Sequence, residues 1–300
     1  MLGYPSDGDY DGILRGHMLR DCSVATTYIA NARAIYVPNR DAVRGKTTRR
    51  SPLPAVYNYV DIPRMIRDRC RDIDISADLF FINKVVFFVM RSRCLQFGTI
   101  IATTGTTKPH LVNNLSQVVK LYMCFGFRVR VCFADGQFDC LHNEAKGVGV
   151  DTSGHDKHVG DIERLIHVIE ERVRSIRAGL PFRRLPRWVL IKMVTFVMFW
   201  FNSFSPKGGV SRIYSPCTIV MGTTVSQRLH CRLPFGSYAE VHDNPSPSNL
   251  TNIHRTTPAL CIGPTGNERG TYRFFGLTTG AVLRRYQWEV GGALPHPHCR

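Results

Sequence analysis

Residues 79–90 read Leu79-Phe80-Phe81-Ile82, then Asn83-Lys84, then Val85-Val86-Phe87-Phe88-Val89-Met90. Two apolar, β-branched and aromatic runs split by two residues, the first an asparagine, predict a β-hairpin. Beyond residue 90 strand and helix patterns alternate. A third strand is expected near Gln96–Ala102 and a polar Thr/Gly turn at 103–109. From His110 to Phe125 the apolar residues Leu111, Leu115, Val118, Val119 and Tyr122 keep a helical period. A strand at 127–133, a loop-rich stretch at 140–157 with a short strand at Gly147–Asp151, and a helix from Asp161 to about Ala178 complete the series, with Gly179 as its stop. Three antiparallel strands followed by helix, strand and helix imply a mixed α/β (α+β) layer, not an all-parallel sheet.

Three carboxylates recur at informative places in that series. In the segment Asp161-Ile162-Glu163-Arg164-Leu165-Ile166-His167-Val168-Ile169-Glu170-Glu171-Arg172, the residues Ile162, Leu165, Ile166 and Ile169 form a buried stripe, and Glu163 stands on its rim. Asp78 opens the first strand of the hairpin. Asp135 follows the run Val129-Arg130-Val131-Cys132-Phe133, at a strand end, where open α/β sheets place reactive groups. Taken singly, a strand-end aspartate is usually a turn former or a cap. Three acids in strand, strand, helix order raise a metal site, because Mg²⁺ is a hard cation that takes oxygen ligands.

The segments Ile75-Ser76-Ala77-Asp78-Leu79-Phe80-Phe81-Ile82, Phe133-Ala134-Asp135-Gly136-Gln137-Phe138, His158-Val159-Gly160-Asp161-Ile162-Glu163-Arg164 and Gly263-Pro264-Thr265-Gly266-Asn267 resemble, in that order, the integrases of copia-type retrotransposons of diatoms and other algae. The likeness of pattern runs from about residue 20 to residue 293. It implies an RNase H-like mixed sheet with flanking helices, followed by a small SH3-like β-barrel. It also implies that Asp78, Asp135 and Glu163 are the catalytic triad holding two Mg²⁺ or Mn²⁺ ions, and that the reaction is 3′-end processing and strand transfer on double-stranded DNA ends and target DNA. A homo-oligomer is implied, and a nuclear location, with a cytoplasmic particle if the chain is part of an element.

The distribution of charge agrees with a nucleic-acid partner. Net charge is +16, yet residues 71–171 hold 11 Lys and Arg against 12 acids, while residues 172–300 hold 17 against 4. A near-neutral acidic site beside a strongly basic surface suits a phosphodiester substrate held by its backbone. Arg164, then Arg183, Arg184 and Arg187 in Pro181-Phe182-Arg183-Arg184-Leu185-Pro186-Arg187, and Arg273, Arg284 and Arg285 in the C-terminal strands are the expected DNA contacts. Arg269 lies in the same aromatic-interleaved stretch as Tyr272, Phe274, Tyr286 and Trp288.

None of the ten cysteines forms a C-x-x-C pair, so they are expected as thiols of a reducing compartment. His155 and His158 are the only close histidine pair and have no cysteines at zinc spacing, and the family's His/His/Cys/Cys zinc element is not among these residues. Met1 to Asp9 has neither the basic start nor the apolar core of a secretory leader. The apolar run Trp188–Phe201 is 14 residues long and contains Lys192, too short for a bilayer, so no membrane partner is expected.

These patterns divide the chain into a partly disordered N-terminal segment (1–70), a catalytic core (71–204), a Pro/Gly-rich connector (205–250), a small barrel (251–293) and a tail (294–300). Within the first segment, residues 1–20 are expected to be poorly ordered, a short helix near Thr26–Ala34, the basic cluster Arg44 to Arg50 a solvated linker, and the prolines at 52, 54 and 63 an extended connection into a short helix. The barrel is expected from strands at Ala259–Ile262, Gly270–Phe275 and Ala281–Tyr286. The alternative to an active integrase is a catalytically inactive relic acting only as a basic DNA-binding protein. An RNase H-like nuclease acting on a hybrid is a further reading.

Overall fold

The computed structural model describes residues 6–36, 39–46, 59–142, 147–152, 159–182, 184–243 and 254–290. In chain order its elements are α1 (Asp7–Arg15), α2 (Thr26–Ile35), α3 (Arg40–Lys46), α4 (Arg64–Arg69), β1 (Asp72–Ile82), β2 (Val85–Ser92), β3 (Gly98–Thr103), α5 (Lys108–Cys124), β4 (Arg128–Phe133), β5 (Gly149–Asp151), α6 (Val159–Ala178), α7 (Arg187–Ser203), α8 (Pro216–Met221), α9 (Gln227–His230), β6 (Tyr238–His242), β7 (Thr256–Pro264), β8 (Tyr272–Gly276), β9 (Val282–Arg285) and β10 (Trp288–Val290). A 3₁₀ turn occupies Gly136–Leu141. The chain forms two compact units. The larger takes Val56–Phe235 with Gly266–Gly270, and the smaller takes Met1–Ala55, Gly236–Thr265 and Thr271–Arg300.

The larger unit is built on a five-stranded mixed sheet of order β3-β2-β1-β4-β5. The first three strands are antiparallel, while β4 runs parallel to β1 and β5 parallel to β4. Asn83 and Lys84 close the β1–β2 hairpin with φ of 48° and 65°, the left-handed pair that a two-residue turn needs to match strand twist. One face of the sheet carries Ile73, Ile75 and Ala77, which share a buried cluster with Leu111, Leu115, Val118 and Tyr122 of α5. Both α6 and α7 also pack on the sheet, burying Ile162, Leu165, Ile169 and Val173 of the first and Leu190, Met193, Val194, Val197 and Met198 of the second. A two-way amide bond ties α7 to strand β3. Asn202 accepts from the Gly98 N–H at 2.8 Å and donates to the Gly98 carbonyl at 2.7 Å. A Cβ at Gly98 would stand 2.6 Å from Met198 Sδ, so any larger residue there would displace the end of the Met198 side chain.

The smaller unit is a five-stranded antiparallel sheet of order β10-β6-β7-β8-β9. Its outer strands β9 and β10 are joined through only Tyr286 and Gln287. Three Cα steps reach about 11 Å, whereas the edges of a flat five-stranded sheet lie about 19 Å apart. The sheet must therefore roll. Arg285 Nε donates to the His242 carbonyl at 2.9 Å and the His242 N–H to the Gln287 carbonyl at 3.3 Å, which draws the end of β9 toward β6. Tyr272, Phe274 and Trp288 fill the interior, with Trp288 ring centroids 4.7 and 5.2 Å from the other two.

A buried carboxylate joins α3 to this sheet. Glu240 on β6 is 1% exposed, and its Oε1 receives Arg40 Nε at 3.0 Å and Arg44 Nε at 3.2 Å. The Tyr238 hydroxyl donates to the same oxygen, and Thr256 Oγ1 donates to Oε2 at 2.9 Å. Burial pushes the Glu240 pKa up, but the hydrogen bonds from Tyr238 and Thr256 and the two guanidinium groups outweigh it and hold the carboxyl below its ordinary value.

Several expectations are corrected here. Residues 7–15, expected to be poorly ordered, form α1, because Ser6 and Asp9 make a reciprocal capping box at its start. The stretch 205–250, expected as a connector, carries α8, α9 and β6, with Ile219 and Val220 in the larger core and Ala239 and Val241 in the smaller. Arg44, Gly45 and Lys46, expected in a linker, lie in α3. Cys70 and Cys94 are disulfide-bonded rather than free, because the hairpin sets the residue two before β1 beside the one two after β2, with Cα atoms 6.3 Å apart. Cys22, Cys124, Cys132, Cys140, Cys217 and Cys231 are free thiols. Residues 47–50, 52, 54, 155 and 158, Cys299 and the 294–300 tail lie outside the described residues. No helix among those described is long and apolar enough to cross a membrane.

Glu240→Gln should destabilise the protein by about 3 kcal/mol, because it leaves two arginines facing an uncharged partner in a buried network. A carboxylate with a depressed native pKa contributes stability above its unfolded pKa that is lost as pH falls through the native value. Urea unfolding should therefore show the mutant deficit at neutral pH and a smaller one in acid; an equal deficit at both would discard the ion-pair account.

Candidate active site

Strand pairing sets the positions of two of the three acids. In the parallel β1–β4 ladder Ser76 faces Phe133. Two residues further along each chain stand Asp78 and Asp135. Asp135 keeps an extended backbone (φ −69°, ψ 165°) as it caps the 3₁₀ turn, so the two-residue step returns it to the face that Asp78 occupies. Glu163 lies in the first turn and a half of α6, which packs on β1 and β2.

Asp78 is half-buried and Glu163 exposed. Asp78 Oδ1 accepts from the Leu79 N–H at 2.6 Å and from Gln137 Nε2 at 3.4 Å. Its pKa is pushed up from 3.8 to about 6, first by burial, against the opposing Leu79 hydrogen bond, and further by the negative charges of Asp135 and Glu163. Both acids thus lie within electrostatic reach of Asp78. Gln137, in the turn after Asp135, was not singled out by sequence as a partner of Asp78. The signal was its place two residues after an acid at a strand end.

The donor chemistry of these three residues fits a hard divalent cation, which is commonly held by one or two carboxylates with water and phosphate oxygens in the remaining places. Among the described residues, however, no three His, Cys, Asp or Glu side chains already gather as a metal-holding group. The fit is to an open carboxylate site, not to a closed cage.

The expected DNA contacts fall on both units. Arg164, Arg184 and Arg187 are exposed on or beside α6 and α7, and Arg183 lies outside the described residues. Arg273 and Arg284 face each other across β8 and β9. Burial, and then the charge of Arg284, lower the Arg273 pKa. Like charges directly opposed are unfavourable unless an anion joins them. Arg285 differs from that pair, since its Nε and Nη1 already donate to the carbonyls of His242 and Arg284.

Solved structures similar to this chain include the catalytic core domain of BIV integrase, at 13% identity and a TM-score of 0.38, covering 49% of this chain and 93% of that one. The HTLV-2 integrase catalytic core domain in complex with magnesium, in a trimeric form, aligns at 14% identity and a TM-score of 0.37, covering 50% and 96%. Both are retroviral integrase cores. No family model and no curated protein matches the chain.

A carboxyl whose native pKa is raised contributes stability below its unfolded pKa that is lost as pH rises through the native one. Asp78→Asn should therefore raise stability by about 2 kcal/mol above about pH 6, a figure lowered for solvent screening of a half-buried group, and give no gain below the ordinary aspartate range. Mg²⁺ should raise the Tm of the native protein and not of Asp78→Asn. Thermal melts across pH, with and without Mg²⁺, check both; equal Mg²⁺ shifts in the two proteins would remove Asp78 from the site.

Proposed function

We propose that this chain is an integrase-like protein of the copia-type retrotransposon branch, which transfers phosphodiester bonds at double-stranded DNA ends and joins them to target DNA. The observation that supports the reading is that Asp135, from the end of β4, and Glu163, from α6, both lie within electrostatic reach of Asp78 on β1. In this reading Asp78, Asp135 and Glu163 would hold the Mg²⁺ or Mn²⁺ ions through their carboxylates. When bound, such ions activate an attacking hydroxyl and stabilise the leaving oxygen of an in-line displacement.

The chain's own residues prepare that chemistry. Asp78 directs Oδ1 to the Leu79 N–H and the Gln137 amide, which leaves Oδ2 as its ligand oxygen. Burial, and then repulsion from Asp135 and Glu163, make Asp78 hold a proton at a pH where aspartate is ordinarily ionised, so cation binding and proton release are coupled. Water is the attacking group in end trimming and the DNA 3′-hydroxyl in strand transfer. Arg164, Arg183, Arg184, Arg187, Arg273, Arg284 and Arg285 hold the backbone, with a homo-oligomer in the nucleus as the working form.

A non-catalytic DNA-binding protein is the second reading. It is favoured by the absence, among the described residues, of three side chains gathered as a metal-holding group.

Purified protein incubated with a short DNA end and Mg²⁺ or Mn²⁺ should give joined products, and Asp78→Asn, Asp135→Asn and Glu163→Gln should each lower joining by at least about a hundredfold while DNA binding persists. DNA binding by the native protein without joining would select the second reading.

A further inference from the structure

On the sheet face that carries Asp78, the next rung down β1 is Ser76, and its neighbour on β2 is Arg91. One rung is about 7 Å along the strand. Arg91 is half-buried, its Nε has no hydrogen-bond partner, and its guanidinium lies 5.3 Å from the centre of the Phe201 ring on α7. Arg172 of α6 approaches the same ring at 5.9 Å. Arg164 of α6 is close enough that its charge works against the protonated form of Arg91, and Asp161 is the one acid acting in the opposite sense.

Elsewhere on α6 charge is neutralised locally: Arg174 lies 3.7 Å from Glu170 and His167 3.2 Å from Glu171. Arg91, Arg164 and Arg172 make no ion pair among the described residues. Arg91 from a strand and Arg172 from a helix share one ring, and Arg164 lies within electrostatic reach of Arg91. Such an arrangement can take an anion. Guanidinium forks match phosphate oxygens two at a time.

We propose that Arg91 and Arg172, which share the Phe201 ring, form with nearby Arg164 a cradle for a backbone phosphate of the DNA strand that reaches Asp78, Asp135 and Glu163. The cradle rests on the DNA-acting reading above, and adds Arg91 and Arg172 to its binding surface. Arg91 stands one rung from Asp78 on the same sheet face. The cradle holds a strand by charge and geometry and reads no base.

The test is the salt dependence of binding to a short DNA duplex without divalent ions, measured by fluorescence anisotropy on the full chain. Arg91→Gln, Arg164→Gln and Arg172→Gln should each reduce the slope of log K against log salt by about 0.9, and the Arg164→Gln, Arg172→Gln double variant by about 1.8. Arg174→Gln, at an arginine already paired with Glu170, should leave it unchanged. Arg91→Lys should keep the slope and weaken binding at fixed salt, since it retains charge and loses the fork. Should Arg91→Gln fail to fold, the exposed Arg164 and Arg172 carry the test.

Slopes equal to the native one in the cradle variants, or a drop in Arg174→Gln as large as theirs, would overturn the cradle. Native protein that shows these slopes but no divalent-dependent joining keeps the cradle and loses the catalytic reading. Joining with unaltered slopes does the reverse. Native protein that does not bind DNA overturns both.

Discussion

The parallel pairing of β1 with β4 is the constraint on which the candidate site depends. Hydrogen-bonded neighbours lie about 5 Å apart, so a register that sets Ser76 against Phe133 brings the acids two residues beyond each to one edge of one face. A slip of one residue would turn one acid to the opposite face, into the cluster beneath α5. The antiparallel β1–β2 hairpin guards against such a slip, because Ala77, Phe80, Phe87, Phe88 and Met90 are all buried. The Asn83-Lys84 turn fixes its end.

The same arrangement works against itself electrostatically. Burial and two neighbouring acids disfavour the ionised form of Asp78, which is pushed up to about 6. A fold that only needed stability would not gather these groups. A perturbed carboxyl within reach of two other acids is a physical reason to look for function there. On the same sheet face, Arg91 and its neighbours on α6 show the complementary pattern, with positive charges lacking enough acids.

The smaller unit shows how a charged residue can be an interior one. Glu240 sits between the buried residues Ala239 and Val241 on β6. It is accommodated because Arg40 and Arg44 arrive from α3, about two hundred positions earlier in the chain. The unit is therefore assembled from both ends of the chain.

Local order was largely legible from residue pattern. The hairpin, the helical stripe of Ile162, Leu165 and Ile169, the α5 period and the Asp78, Asp135 and Glu163 candidates all follow from spacing or from resemblance, since side-chain periodicity reports which face is buried. The strand β6 and the partners of Glu240 were not legible, because a strand whose interior residue is a glutamate reads as a solvated stretch until its arginines are known. The Cys70–Cys94 pairing, the electrostatic reach of Asp135 and Glu163 to Asp78 and the Phe201 ring shared by Arg91 and Arg172 were likewise decided only by tertiary structure. Sequence sets the chemistry of each side chain and the period of each element; which distant groups share a space depends on strand register and helix packing, long-range properties that no local pattern contains.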